Sequence, residues 1–388
     1  MNILIRKQTR LKSKKRWEKY QRLRSEGKQF AIPQDYLKLK RYEYRKKKRQ
    51  LYVKDDKRLN DIKLPSKIDF EDNIENILIV NNQIENYMQS HVKGNFRIDH
   101  SSINCASIAG MLFLVGQISR LMPQGSFKTK KRLKYNKHYG LKNADDKLKY
   151  LFYKIGYWQY FGIKKPYNIE QSIRDNYFLS IESNSKSDIL LLNKIKKFIK
   201  EKVSIFDSYI KEYKFDDAIK EAMGNAIEHA YGDDFLEAGK TKGKWWICGH
   251  YDNIEKTLEL VFYDYGIGIR ESMKKNMGEE ANIFLLDKLS DRFIKNDADL
   301  IAAAIDGKLS KYKKYKERDR GKGFQRFKDF AKSSEFDCDL TVVSGSGYYR
   351  YSYIHDISKE SVIKKPLSNS IDGMLIKWKI KIGDRDGK

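Results

Sequence analysis

The sequence predicts an α/β protein: a C-terminal α/β sandwich with a mixed sheet covered by helices, an α/β segment before it, and a basic helical arm at the start. Three observations point there. KWWICGHYD and TLELVFYD, at 244–252 and 257–264, alternate in polarity and flank a turn at Asp252-Asn253, so they read as paired strands. Apolar residues recur at helical spacing on either side of residue 190. Charge is concentrated at the start: residues 1–63 hold 23 Lys and Arg against 7 Asp and Glu, which is +16 of the chain's net +27.

The 388 residues suffice for two or three domains, and a hydrophobic fraction of 40% suffices for a core. Only 5 Pro and 24 Gly exclude collagen-like and proline-rich architectures. No window approaches the apolar length of a membrane span. The N-terminal MNILIRKQTRLKSKKR lacks the apolar centre of a signal peptide. Cys105, Cys248 and Cys338 are odd in number and widely spaced. That argues against a disulfide framework or a cysteine zinc site, and for a reducing, cytoplasmic setting.

Residues 1–65 read as basic helical segments broken near Gly27 and Pro33 and ended by Pro65. Trp17, Tyr20, Tyr36, Tyr42, Tyr44 and Tyr52 are interleaved with the charge. Such an arm suits a phosphate backbone or an acidic protein surface, or is simply a solvated helical face. Residues 66–165 read as an α/β domain. SKIDFEDNIENILIVNNQIENYMQSH has helical periodicity, FRID is a short strand, and a helix of apolar and small residues follows from about Ala106. FKTKKRLKYNKHYGLKNADD reads as a basic loop and DKLKYLFYKIGYWQYFGI as helical. Residues 166–190 read as a connector.

From 191 to 388 the pattern is clearer. LLNKIKKFIKEKVSIFDSYIKEY is helical, and KEAMGNAIEHAY continues as a second helix. In that helix Ala218, Ala222, Ala226 and Ala230 form one row beside Ile219, Met223 and Ile227. Glu221, Asn225 and His229, spaced by four, lie along one edge of this stripe, where the helix leaves the core. Gly224 inside a helix costs roughly 1 kcal/mol against alanine, which suggests close packing or a nearby ligand. After the strand pair comes Asp264-Tyr265-Gly266-Ile267-Gly268-Ile269 at a strand end. A lysine-rich stretch ends in Arg320-Gly321-Lys322-Gly323-Phe324, which opens another helix. DLTVVSGSGYYRYSY reads as a hairpin with a Gly-rich turn, and GMLIKWKIKI as a closing strand.

The three polar segments, in this order and these structural contexts, resemble the ATP-binding domain shared by gyrase, the large chaperone family, histidine kinases and mismatch-repair ATPases, the Bergerat or GHKL fold. The resemblance runs from about 195 to 383. Glu221 and Asn225 match its N box, Asp264 to Ile269 its first glycine box, and Arg320 to Phe324 a reduced second glycine box. EAMGNAIEHAY is closest to the anti-sigma serine-kinase branch, including His229. The strand, polar turn and helix at 96–120 also resemble the STAS fold of anti-anti-sigma factors. That family carries a phosphorylated serine after an aspartate at the helix start. Here the run is Ala106-Ser107-Ile108-Ala109-Gly110, without the aspartate, so Ser107 reads as a helix-start serine.

The resemblance implies ATP and Mg2+ as ligands. Glu221 would be the general base, and Asn225, with Glu221, would hold the metal. Asp264 would accept the adenine amino group, with Gly266, Gly268 and Ile269 forming the backbone beside the base. Arg320, Gly321, Lys322, Gly323 and Phe324 would meet the phosphates at a helix start. Residues 270–319 would form a lid, mobile until ATP binds. His229 sits at the pocket edge with its role open. Many members have Gly-Thr on the closing strand, and here the pair is Gly373-Met374, so the second adenine contact departs from the family and Thr341 on the neighbouring strand could replace it.

The implied activity is an Mg-dependent ATPase acting as a nucleotide-dependent switch in a regulatory or defence complex, with a protein partner or a second copy, nucleic acid at residues 1–63, and no membrane. A serine protein kinase of the anti-sigma type and a basic nucleic-acid scaffold with structural ATP are the alternatives. A histidine autokinase is disfavoured, because His91, His100 and His138 lack the acceptor-site context of that family.

Overall fold

Five strands form the main sheet, in the order β6-β7-β8-β10-β9: β6 (Asn176–Asn184), β7 (Trp245–Asp252), β8 (Thr257–Asp264), β9 (Asp337–Ile354) and β10 (Lys359–Lys381). The computed structural model describes residues 60–71, 73–89, 96–121, 138–139, 141, 144–163, 176–202, 212–228, 244–272, 295–308, 323–333 and 336–382. The chain divides into two compact units. The first, Met1–Asn60 with Val92–Phe96, lies outside the described residues apart from Asn60 and Phe96. The second, Asp61–His91 with Arg97–Lys388, contains the fold described below. No helix among the described residues is long and apolar enough to cross a membrane.

All pairings in the main sheet are antiparallel, where the sequence reading expected a mixed sheet. The reason is local: β7–β8 and β9–β10 are hairpins closed by the turns at 253–256 and 355–358, and hairpins can only be antiparallel. Parallel pairing occurs instead in two small sheets. β2 (Lys67–Ile68) pairs with β4 (Cys105–Ala106), and β3 (Phe96–Asp99) with β5 (His138–Tyr139). β1 (Asn60–Lys63) joins the second of these, so the last residues of the expected helical arm are a strand.

Three further sequence expectations are corrected. The stretch read as a connector carries β6, the edge strand of the main sheet. The Gly-rich run Gly345-Ser346-Gly347 is not a hairpin turn, since β9 continues through it. These glycines leave room for Asp297: a Cβ at Gly345 would lie 2.5 Å from its Oδ2, and one at Gly347 would lie 2.5 Å from its carbonyl carbon. The middle of the expected lid is also a core element. Helix α7 (Asp297–Ile305) buries Leu300, Ile301, Ala304 and Ile305, and Asp297 accepts from Ser346 N at 2.8 Å and Ser346 Oγ at 2.9 Å. Residues 273–294 and 309–322 of that stretch lie outside the described residues.

The sheet is covered on both faces. One face packs α5 (Ile189–Lys202), α6 (Glu212–Glu228), α7 and α8 (Gly323–Ser333) in a single apolar cluster with Trp245, Ile247, Leu260, Phe262, Ile376 and Trp378. Ala218, Ala222 and Ala226 of α6 are fully buried there, as its small-residue row predicts. The opposite face carries α1 (Ile74–Gln89) and α2 (Ile108–Arg120). Helix α2 is buried from Ile108 through Ile118, with Gln117 the one polar side chain in that run, so it packs on two sides. Ser107 caps it, its Oγ accepting from Gly110 N at 3.1 Å. Two short helices follow, α3 (Asp146–Lys154) and α4 (Tyr157–Tyr160), with Phe152, Tyr157 and Trp158 packed around the buried His100.

Candidate functional site

Helix α6 presents Glu221, Gly224 and Asn225 half-buried at the border of its apolar stripe. The Glu221 carboxylate lies against the first residue of α8: a Cβ added to Gly323 would fall 1.6 Å from its Oε1. A side chain there would displace the Glu221 carboxylate. Arg326, one turn into α8, donates from Nη1 to Glu221 Oε2 at 3.0 Å. Asn225 sits one turn beyond Glu221, and its buried Nδ2 has no hydrogen-bond partner among the described residues. A buried amide left without any partner costs on the order of 1–3 kcal/mol. A Cβ at Gly224 would meet nothing within 4 Å, so close packing among the described residues does not explain that glycine.

At the end of β8 the chain makes a second polar cluster. Asp264 is 2% exposed and accepts backbone hydrogen bonds from Gly266 and Met374. Burial is the largest influence on it and outweighs both bonds, so its carboxyl is pushed up to about 7. Gly373, at φ +82°, sets Met374 in place, and a Cβ there would lie 1.9 Å from the Asp264 carbonyl oxygen. Gly268 has φ +73° and leads into a helical turn at 268–272. Ser344 ties these strands together: its Oγ donates to Gly373 O at 2.8 Å and accepts from Ile269 N at 3.0 Å. Asp264 follows Leu258, Leu260 and Phe262 on the α6 side of the sheet by strand alternation. Ile269 and Met374 share the buried cluster with Ala222, Met223 and Ala226 of α6.

The structure thus brings Glu221 to Gly323, and Asp264 to Gly266, Gly268, Ile269 and Met374. Phe324 packs on the same core, its ring 5.5 Å from that of Phe327. Thr341 is not part of this group. Its neighbours Leu340 and Val342 face the α6 side, so Thr341 points to the other face, where its side chain hydrogen-bonds Tyr348. The hydroxyl at the level of Asp264 is Ser344, since both residues pair with Met374. Sequence reasoning missed Ser344 because only the β10 register reveals it. It also missed Arg326, whose signal was a cation at i+3 from Gly323 on a helix. His229, Arg320, Gly321 and Lys322 lie outside the described residues.

A side-chain amide and a carboxylate one turn apart offer two oxygens to a hard cation. No group of three or more His, Cys, Asp and Glu that could hold a metal occurs among the described residues. This donor set fits magnesium, which keeps several waters and takes further oxygens from phosphates, and does not fit zinc. A buried strand-end carboxylate flanked by glycine backbone suits a planar group carrying an N–H donor. Comparison of the chain with models of known protein families and with curated proteins finds no match.

Proposed function

We propose that the chain is a Mg2+-dependent ATPase of the Bergerat type that works as a nucleotide-dependent switch. The observation that carries the reading is the meeting of Glu221 with Gly323. Residues about a hundred positions apart, which the resemblance assigns to the acidic-amide helix and to the phosphate-binding turn, are in contact. Asn225, one turn beyond Glu221 on α6, is where the resemblance expects the metal ligand, and its buried Nδ2 has no partner among the described residues.

In this reading the adenine amino group donates to Asp264, and Gly266 and Gly268 keep the backbone low enough for the base to approach. The side-chain oxygen of Asn225 holds magnesium, whose charge offsets that of the phosphates. Backbone N–H groups at the start of α8 face the terminal phosphate. Glu221 orients a water and takes its proton as the water attacks that phosphate. Arg326 must leave Glu221 Oε2 for the carboxylate to work fully as a base.

Calorimetry and steady-state hydrolysis test this. Mg-ATP is expected to bind the wild type. Glu221→Ala is expected to bind Mg-ATP and lose at least about a hundredfold in turnover, the usual scale for a general base. Asp264→Asn is expected to lose binding. No adenine-nucleotide uptake by the wild type sinks the reading, and wild-type turnover by Glu221→Ala removes Glu221 as the base.

A further inference from the structure

We propose that Arg120, on α2, is a positioning residue for the Asp264 loop, so that the site is completed from the opposite face of the sheet. This rests on the nucleotide reading above. The Arg120 side chain is only 4% exposed and is surrounded by acceptors. It donates to Glu85, to Asn81 Oδ1 at 3.2 Å and to Gln117 Oε1 at 2.8 Å, and its Nη1 lies 3.4 Å from Asp372 Oδ2. Its guanidinium carbon stands 4.1 Å over the Tyr265 ring.

The partners of Arg120 bracket Asp264 from both strands. Tyr265 follows Asp264 in the chain, and its hydroxyl donates to Asp372 Oδ2 at 2.9 Å. Tyr263 precedes Asp264. Its hydroxyl donates to Asp372 O at 3.0 Å and accepts from Gln117 Nε2 at 2.7 Å. Asp372 in turn precedes Gly373 and Met374. The two amides that hydrogen-bond Asp264 belong to Gly266 and Met374, one residue past Tyr265 and two past Asp372. Arg120 does not touch the carboxylate. It fixes the two backbone segments that aim it.

Only arginine suits this position. The two Nη groups of a planar fork meet two carboxylates and two amide oxygens while its face lies on an aromatic ring; Nε is buried without a partner among the described residues. Lysine keeps the charge and loses the fork. The loop would then hold its fold but not its aim, and the loss would fall on base recognition. Turnover, set by Glu221 on α6, should change less.

The test uses the full chain, with Arg120→Lys and, as a second variant that keeps the arginine, Tyr265→Phe. Binding of Mg-ATP and Mg-GTP is measured by calorimetry in two buffers of different ionisation enthalpy, with kcat at saturation. Each variant is expected to bind ATP about tenfold more weakly, the scale of one lost charge-assisted hydrogen bond. Preference for ATP over GTP should narrow by a similar factor, and the proton count near pH 7 should shift, with kcat changing less than Kd. If Arg120→Lys fails to fold, Tyr265→Phe carries the test alone. Wild-type ATP uptake, with affinity and base preference unchanged in the folded variants, overturns the positioning role and leaves the nucleotide reading intact. Absence of uptake by the wild type overturns both.

Discussion

Asp264 ends β8 with its carboxyl pushed up to about 7 by burial, against backbone bonds from Gly266 and Met374 that act the other way. The ordinary aspartate value is 3.8, so the folded state binds a proton that the unfolded chain has already released over that window. The stabilisation this group contributes is therefore full below about pH 4 and is lost as pH rises toward 7. Three units correspond to about 4 kcal/mol as an order of magnitude. Asp264→Asn removes the titration and keeps the shape. In urea melts at several pH values, wild-type stability minus that of Asp264→Asn is expected to fall by up to about 4 kcal/mol between pH 4 and 7. A difference independent of pH would show that Asp264 titrates normally. An amino donor on a bound base would favour the carboxylate, so nucleotide uptake near pH 7 should release protons.

Helix α2 meets the sheet through Gly116, where a Cβ would lie 2.3 Å from Tyr263 Cε1. Tyr263 cannot retreat, being fully buried with its hydroxyl held by Gln117 and Asp372. On a free helix Gly116→Ala would gain up to roughly 1 kcal/mol from propensity. Overpacking of a filled core costs about 1–3 kcal/mol, so the clash wins and the variant is expected to be less stable by about 1–2 kcal/mol. A stabilised Gly116→Ala, read from the denaturation midpoint, would mean that α2 docks more loosely. This contact was not legible in the sequence, because the apolar run 108–116 has no polar side chain to name the face it packs on. The β7–β8 pair was legible from alternation, and the border position of Glu221 and Asn225 from spacing by four. β6 was not: its register shifts between Leu179 and Glu182, and its partner strand lies far along the chain. The glycines of β9 read as a turn because their true reason, the close approach of Asp297 and its backbone at the start of α7, comes from a distant helix.

At the scale of the molecule, the sheet has two covered faces, and α1 and α2 provide the second cover. Trp246, Cys248, Val261 and Tyr263 are buried on that face, under α2. Arg120 ties α2 to the segment that precedes Gly373, and Glu75 ties α1 to the β10 bulge through Ser368 N at 2.7 Å. Lys377, only 2% exposed on the same face, depends on Glu71 for its charge partner. A chain cut to 191–388 would keep the helices of the candidate site but lose this whole layer. It would also lose β6, leaving the N–H and C=O groups of β7 as an open edge. Burial of a large aromatic or aliphatic side chain stabilises by about 1.5–3 kcal/mol. Exposing even Trp246, Val261 and Tyr263 therefore removes stability comparable with the 5–15 kcal/mol typical of a whole domain. The fragment 191–388 is expected to bind ANS, lose near-UV circular dichroism and aggregate on size-exclusion chromatography, while the full chain melts cooperatively. A monomeric fragment with a sharp transition near that of the full chain would show that the helical layer is an accessory and that the sheet is stable with one face open.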